Sequence, residues 1–160
     1  MDSRPPQITR SFVFEDLYVG QRFVSGTKRV DQDEVIAFAR EFDPQPFHTD
    51  PEAAKGTLFQ GLVASGWHTA AMTMRLLIDS GLSIEGGMVG AGGELTWPRP
   101  TRPGYILQVE TEVVELRPSR SRPDRGLATI RSETKNQQGE VLQILFARLV
   151  VPRRIPLPAT

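Results

Sequence analysis

Asp43 and His48 are the residues of this sequence whose types and spacing could do chemistry. They lie five positions apart in a loop, residues 43–49, in which two prolines stiffen the backbone. A carboxylate and an imidazole held in this way can converge on one water molecule, and histidine titrates near neutral pH, so the pair suits general acid–base catalysis. The alternative is that Asp43 caps a turn and that His48 is a polar residue whose hydrogen bonds are satisfied.

Two predicted helices flank this loop and would position the pair. Asp31 and Glu34 form a capping-box pattern, which predicts that a helix begins there. The helix should end near Phe42, because a proline at position 44 disfavours helical geometry in the residue before it. Asp50 followed by Pro51 predicts the start of a second, short helix.

A third helix is predicted over residues 66–81, where Ser65 can cap the start and Gly81 can close the end in a left-handed turn. Its polar residues form only a thin line, and we expect a structural role for His68 in the first turn. The helix is too short to span a bilayer, which needs about 20 apolar residues. Six apolar residues recur at helical spacing and predict the buried stripe: Trp67, Ala70, Ala71, Met74, Leu77 and Ile78.

The rest of the chain is dominated by predicted strands, which places it in the α+β class. Alternating or continuous apolar patterns predict strands at residues 23–30, 88–97, 107–113, 127–134 and 141–151. At 160 residues the chain is long enough for one domain with an ordinary core. We therefore expect a single domain over residues 1–160, with residues 1–11 and 153–160 as loose tails.

The composition excludes several classes of site and partner. Lysine plus arginine and aspartate plus glutamate both number 19, which argues against nucleic-acid binding by charge. The absence of cysteine excludes disulfides, thiolate metal sites and a cysteine nucleophile. The first ten residues contain no apolar run typical of a signal peptide, so the expectation is a cytoplasmic protein without a membrane segment.

Two further patterns were considered as ligand sites. The two histidines are not spaced as a metal site, and the glycine-rich run at residues 86–93 lacks the Lys-Ser or Lys-Thr of a phosphate loop. Arginine side chains are either solvated loop charges or phosphate contacts, since guanidinium pairs well with phosphate. They cluster on two predicted loops, at Arg99, Arg102, Arg117, Arg120, Arg122 and Arg125.

The run from Phe42 to Pro51 resembles the signature of the MaoC-like dehydratases, a group that includes the R-specific enoyl-CoA hydratases. The matching positions are Asp43, Pro46, Phe47, His48 and Asp50. Weaker similarity follows at residues 61–67 and 97–104, so the resemblance covers roughly residues 14–151.

The sequence departs from the family's pattern at two places. Many members have His-Gly-Met where this chain has Ser65, Gly66 and Trp67, a difference that concerns acyl specificity more than chemistry. Many also have Gly-Asp where this chain has Gly104 and Tyr105, which concerns a turn.

The resemblance implies a hotdog fold, in which a curved antiparallel sheet wraps around one long helix, and a homodimer whose sheets join side by side. It implies hydration of an enoyl-CoA, or dehydration of a 3-hydroxyacyl-CoA, by a water held between Asp43 and His48. Backbone N–H groups near Ser65, Gly66 and Trp67 would stabilise the charge that builds on the thioester oxygen. Coenzyme A would enter as part of the substrate, and no separate cofactor or metal is expected.

The same resemblance gives possible roles to three other side chains. Arg99 and Arg102 are candidates for contacts to the phosphates of coenzyme A. His68 has the alternative role of lining the acyl pocket. Hotdog folds also host acyl-CoA thioesterases, and a non-catalytic acyl-CoA-binding protein would keep the pocket without needing Asp43, so both remain alternatives to a hydratase.

Overall fold

The computed structural model describes residues 10–154, which form five antiparallel strands and four α-helices. The strands are β1 (Arg22–Arg29), β2 (Val89–Thr96), β3 (Ile106–Pro118), β4 (Arg125–Lys135) and β5 (Val141–Pro152). They form one sheet in the order β1-β3-β4-β5-β2, so β1 and β2 are its edges. The α+β prediction is confirmed, as are the predicted strands.

The central strands show why the sheet has one buried face. In β3 and β4, buried residues alternate with partly exposed ones, as expected where only one face meets a core. Strand β2 differs, because nearly all of its residues are exposed along an edge that pairs only with β5. No other strand within residues 10–154 pairs with the outer side of β2, so this edge presents unpaired backbone groups.

Three helices lie between β1 and the central helix: α1 (Gln32–Phe42), α2 (Pro46–Thr49) and α3 (Pro51–Ala54). Helix α3 is capped as predicted, since the Asp50 carboxylate accepts hydrogen bonds from two backbone N–H groups, those of Glu52 and Ala53. The predicted loop at residues 43–49 is corrected, because Pro46 occupies the first position of a helical turn.

The capping box predicted at the start of α1 is wrong. Asp31 is the N-cap residue, but its side chain makes no capping hydrogen bond. Glu34 pairs instead with Lys28 on β1, at 3.0 Å between Nζ and Oε2. A partner on the neighbouring strand thus competes with the local cap.

The central helix α4 (Gly66–Ile78) begins as predicted but ends at Ile78, three residues before the predicted end. Ser65 Oγ accepts a hydrogen bond from the backbone N–H of Trp67 at 3.3 Å, and Gly81 closes the turn with φ +94°. Helix α4 packs on the buried face of the sheet, where its side chains join both apolar clusters of the core. No helix within residues 10–154 is long and apolar enough to cross a membrane.

The predicted buried stripe of α4 is wrong for most of its residues. Trp67 and Ile78 are 63% and 53% exposed, whereas Leu77 is buried as expected. The buried residues of the helix are instead His68, Thr69, Met72, Thr73, Leu76 and Leu77. Threonine hydroxyls can be buried here because each finds a hydrogen-bond partner, so apolar character alone does not identify the inner face.

A chain of buried polar side chains crosses the contact between α4 and the sheet. Thr73 Oγ1 lies 2.6 Å from Thr134 Oγ1 on β4 and accepts a hydrogen bond of 3.0 Å from Gln143 Nε2 on β5. Gln143 Oε1 in turn accepts from the indole N–H of Trp97 at 2.9 Å. Thr73, Thr134 and Gln143 are fully buried, so this chain fixes how the helix sits on the sheet.

His68 is buried on the first turn of α4 and stacks on Phe38 of α1, with ring centroids 4.6 Å apart. Burial lowers the pKa of His68 below its usual range, so the ring is neutral at physiological pH. The opposing charges of Glu34 and Lys28 have smaller effects. Packing between two helices gives His68 the structural position that the sequence predicted.

The predicted tails fall largely outside the described residues, since residues 1–9 and 155–160 are not among them. Arg153 and Arg154 do not belong to a loose tail. Arg153 Nε donates to Glu15 Oε1 at 2.9 Å, and the backbone N–H of Arg154 donates to Glu15 Oε2 at 2.8 Å. The chain after β5 is therefore held against the 3₁₀ helix Phe14–Asp16.

Candidate active site

Asp43 and His48 lie side by side, with 3.3 Å between Asp43 Oδ2 and His48 Nε2. Asp43 is the residue after the last turn of α1, and His48 lies within α2. The abrupt end of α1 before Pro44 and the helical turn that begins at Pro46 bring the two side chains together. The side chain of His48 is 8% exposed and that of Asp43 is 19% exposed, so both are largely shielded from water.

The hydrogen-bond network assigns the proton on the His48 ring. Nδ1 lies 2.7 Å from the backbone carbonyl oxygen of Val63, which can only accept, so Nδ1 carries the hydrogen. In the neutral imidazole Nε2 then presents a lone pair toward the Asp43 carboxylate. Two acceptors face each other, which makes the space beside them a place where a water can donate hydrogen bonds to both groups.

Asp43 is held ionised by its neighbours. Burial raises the pKa of Asp43, but hydrogen bonds from Gln45 and Ser65, together with the positive charge that His48 carries when protonated, outweigh it and bring the pKa below its ordinary value. Ser65 Oγ donates to Asp43 Oδ2 at 2.7 Å, and Gln45 Nε2 donates to Asp43 Oδ1 at 2.5 Å. A carboxylate with these donors remains charged through the neutral pH range.

Sequence reasoning missed the bonds from Ser65 and Gln45 to Asp43. Ser65 is 22 positions from Asp43 along the chain, and a serine before a helix already has a sufficient explanation as an N-cap. Gln45 is only two positions from Asp43, which is a spacing from which a local side-chain bond could have been considered.

The segment before α4, which contains Val63 and Ala64, is hydrogen-bonded both to helix α2 and to the loop after β2. The backbone N–H of Val63 donates to the carbonyl of Phe47 at 3.0 Å, and the carbonyl of Val63 accepts the hydrogen bond from His48 Nδ1. The backbone N–H of Ala64 donates to the carbonyl of Thr101 at 2.8 Å. The N-terminus of α4 is therefore anchored beside Asp43 and His48.

A cavity of about 440 Å³ opens beside the pair. Asp43 and His48 contribute polar surface to one part of its wall, and Gly66 and Trp67 bring the start of α4 to another. The remaining wall is mostly aromatic, aliphatic or proline side chains, among them Phe47, Phe59, Val63, Trp97, Pro98 and Pro100. Such a lining suits a mostly apolar ligand whose few polar atoms meet defined partners.

Among the predicted site residues, the structure brings Ser65, Gly66 and Trp67 to the pair and separates the two arginines. Arg99 lines the cavity, where its Nε lies 3.4 Å from Glu140 Oε2 and half of its side chain is exposed. Arg102 is not on the cavity wall, since its Nη2 donates to the carbonyl of Phe59 at 2.8 Å and supports that loop. Within residues 10–154, no group of three or more metal-ligating side chains is placed to hold an ion.

Comparison with known proteins gives consistent matches. A family model described as a MaoC like domain matches residues 17–136. The crystal structure of a MaoC-like dehydratase from Rhodospirillum rubrum superposes with a TM-score of 0.88 and 58% identity, over 92% of this chain and 100% of that one.

Two further relatives are similar to this chain in sequence. The uncharacterised protein YdeM of Bacillus subtilis is 34% identical over 78% of this chain and 87% of its own length. A 3-hydroxybutyryl-CoA dehydratase of Methylorubrum extorquens is also 34% identical, over 71% of each chain. The predicted family resemblance and hotdog fold are confirmed by these matches.

Replacing Ser65 with Ala should raise the pKa of Asp43. The Ser65 hydroxyl stabilises the charged carboxylate, so its loss makes protonation easier and moves the Asp43 titration to higher pH. The stability that the ionised Asp43 contributes is present above the unfolded pKa and is lost as pH falls through the folded pKa. In this variant the folded pKa lies closer to the unfolded one, so the contribution is smaller and its loss is complete at a higher pH. Loss of the cap should also cost about 1 kcal/mol of unfolding free energy.

The measurement is a carboxyl carbon NMR titration of Asp43. Ser80→Ala is the matched control, because Ser80 Oγ donates to the carbonyl of Leu77 at the opposite end of α4. The control should leave the Asp43 titration unchanged. An Asp43 titration that is the same in Ser65→Ala and in the unmodified protein would contradict the role given to this hydrogen bond.

Proposed function

Because this chain belongs to the MaoC-like domain family, we propose that it hydrates a trans-2-enoyl thioester of coenzyme A and catalyses the reverse dehydration of the 3-hydroxyacyl thioester. The observation that carries this proposal is the contact of 3.3 Å between His48 Nε2 and Asp43 Oδ2 on the wall of an apolar cavity, beside the start of α4. The relative from Methylorubrum extorquens, a 3-hydroxybutyryl-CoA dehydratase, supports the same reaction class.

The proposed step uses one water held by both side chains. The water donates hydrogen bonds to Asp43 and to His48 Nε2. As the water oxygen attacks the β-carbon, the Asp43–His48 pair takes one proton from the water. A carbon–oxygen bond forms, and the electrons of the double bond move through the α-carbon to the thioester oxygen. The pair then returns the proton to the α-carbon, so all atoms of the water end in the product.

The start of α4 supplies the site for the negative charge on the thioester oxygen. The backbone N–H of Gly66 lies in the first turn, where N–H groups have no acceptor within the helix, and the helix dipole adds positive potential there. The N–H of Trp67 already donates to Ser65 Oγ at 3.3 Å, so it would share that bond with the thioester oxygen. Donors of this kind stabilise charge that develops in the transition state. Both residues line the cavity that contains the pair.

Recognition of coenzyme A is assigned to Arg99 rather than to Arg102. Arg99 lies on the cavity wall with half of its side chain in solvent, where a guanidinium can meet a phosphate. Arg102 supports the loop of Phe59 and so acts on the shape of the cavity. The reaction as proposed needs no cofactor beyond the coenzyme A of the substrate.

The alternatives differ in their products. A thioesterase would release free coenzyme A thiol, and a binding protein would hold the thioester without turnover. Water addition without thiol release, followed at the enone absorbance, distinguishes hydration from both.

The exposed surface of α4 favours a homodimer. Trp67, Met74 and Ile78 leave apolar surface on the helix, and among residues 10–154 the edge strand β2 pairs with a strand on one side only. A second copy of the chain that joins its sheet along β2 would cover both features.

Light scattering should therefore give twice the chain mass of 17.8 kDa at micromolar concentration. Ile78→Glu should shift the protein toward monomer, because it places a charge in the apolar contact. Val24→Glu is the control: Val24 is similarly exposed but lies on β1, at the opposite edge of the sheet. A monomer in the unmodified protein, or dissociation by Val24→Glu alone, would contradict an interface at β2 and α4.

Asp43→Asn and His48→Gln should each lower kcat for enoyl-CoA hydration by at least about 100-fold, since a general acid–base group typically contributes 10²–10⁴-fold. The double variant should lose much less than the product of the two losses, because the groups share one water. Steady-state rates and thermal unfolding of the same preparations check both points. Folded single variants that retain near-normal hydration would exclude this pair as the catalytic site.

A further inference from the structure

We infer that Trp97 limits the size of the acyl group, so that this chain acts on short-chain enoyl thioesters. The inference rests on the proposed function and adds the substrate class. Three features support it: the position of the Trp97 indole beside Gly66, the hydrogen bond that holds the indole, and the volume of the cavity.

The Trp97 indole lies against the first residue of α4. A Cβ atom added to Gly66 would be only 2.6 Å from Cε2 of Trp97, so the ring occupies the space that a side chain at position 66 would need. The backbone of Gly66 is part of the site proposed for the thioester oxygen. An acyl group bound there therefore passes directly beside the indole.

Trp97 is 41% exposed, but its indole cannot swing aside without breaking a hydrogen bond to a buried side chain. Its Nε1 donates to Gln143 Oε1 at 2.9 Å, and Gln143 is fully buried and bound through its own amide to Thr73. Swinging Trp97 away would leave the Gln143 oxygen without this partner in the core. On its other side the ring meets Trp67 edge to face, at 5.6 Å between centroids.

The remaining space is small for a long acyl chain. The whole cavity measures about 440 Å³, near the lower end of the roughly 300–1,000 Å³ typical of ligand pockets. This volume must hold the thioester, the reacting carbons and the water as well as the rest of the acyl group. A rigid wall beside the thioester therefore excludes long acyl chains.

The test compares kcat/KM for crotonyl-CoA and trans-2-octenoyl-CoA. The unmodified protein should favour the four-carbon substrate, and Trp97→Ala should raise the octenoyl-to-crotonyl ratio by about 10-fold or more, since even one methylene in an apolar pocket can change rates about 10-fold. Trp97→Phe should give a smaller rise. Gln143→Leu, which keeps the indole but removes its partner, should also raise the ratio.

Tyr18→Ala is the matched control, because Tyr18 is an aromatic residue, 63% exposed, that does not line the cavity. Its ratio should equal that of the unmodified protein. If Trp97→Ala does not fold, Trp97→Phe and Trp97→Leu take its place. A ratio unchanged in a folded Trp97 variant that still hydrates crotonyl-CoA would overturn the inference and leave the proposed function standing.

Binding of saturated thioesters keeps the inference testable if hydration is not found. Calorimetry with butyryl-CoA and octanoyl-CoA should show that the unmodified protein prefers butyryl-CoA and that Trp97→Ala removes this preference. If this preference is found but no thioester is hydrated, the size limit is supported and the proposed hydratase activity is contradicted. Equal affinities of the unmodified protein for the two thioesters would overturn the size limit.

Discussion

The hydrogen bond of 2.7 Å between His48 Nδ1 and the carbonyl of Val63 is the contact on which the arrangement of the site depends. It joins α2 to the segment that leads into α4, and it assigns the ring hydrogen to Nδ1. Nε2 is thereby left to face Asp43. The same segment places Ser65 within 2.7 Å of the Asp43 carboxylate, so one short stretch of backbone orients the imidazole, the carboxylate and the start of the helix together. Pre-positioning of this kind is what general acid–base chemistry requires.

The second constraint is the polar contact between α4 and the sheet. Thr73, Thr134 and Gln143 form a buried hydrogen-bonded chain, and Trp97 ends it at the cavity. Because each of these hydrogen-bonded side chains has a partner, they can be buried between helix and sheet, and such a network favours one helix orientation over others. The apolar residues of α4 that lie outside this contact, among them Trp67, Met74 and Ile78, are consequently left on the outer surface. The internal hydrogen bonds thus determine both the cavity wall and the surface on which a second copy is proposed to bind.

Features that depend on residues close in sequence were predictable, and features that depend on tertiary partners were not. The caps at Asp50 and Ser65 and the left-handed turn at Gly81 follow from local backbone requirements, and the structure confirms them. The cap at Asp31 was wrong about the side chain because Lys28, on the adjacent strand, binds Glu34 instead. The buried face of α4 was wrong because hydropathy does not register the threonine partners supplied by β4 and β5.

The candidate site shows the same division. The Asp43–His48 pair could be proposed from spacing and from the family resemblance, but the bond from Ser65 to Asp43 joins residues 22 positions apart. Arg99 and Arg102 could not be separated by sequence, since both are arginines of one proline-rich loop. Only the fold shows that one lies at the cavity and that the other binds the carbonyl of Phe59.

Because Asp43 and His48 lie together at the cavity, the proposed mechanism delivers the hydroxyl group and the proton to the same face of the substrate. The most direct measurement is hydration of crotonyl-CoA in D₂O, followed by NMR assignment of the relative configuration at the α- and β-carbons of the first product formed. The proposed mechanism predicts a single diastereomer, with one deuterium on the α-carbon on the same face as the new hydroxyl group. Deuterium on the opposite face or on both faces, or thiol release with no carbon–oxygen bond formed at the β-carbon, would contradict catalysis by one shared water at this pair.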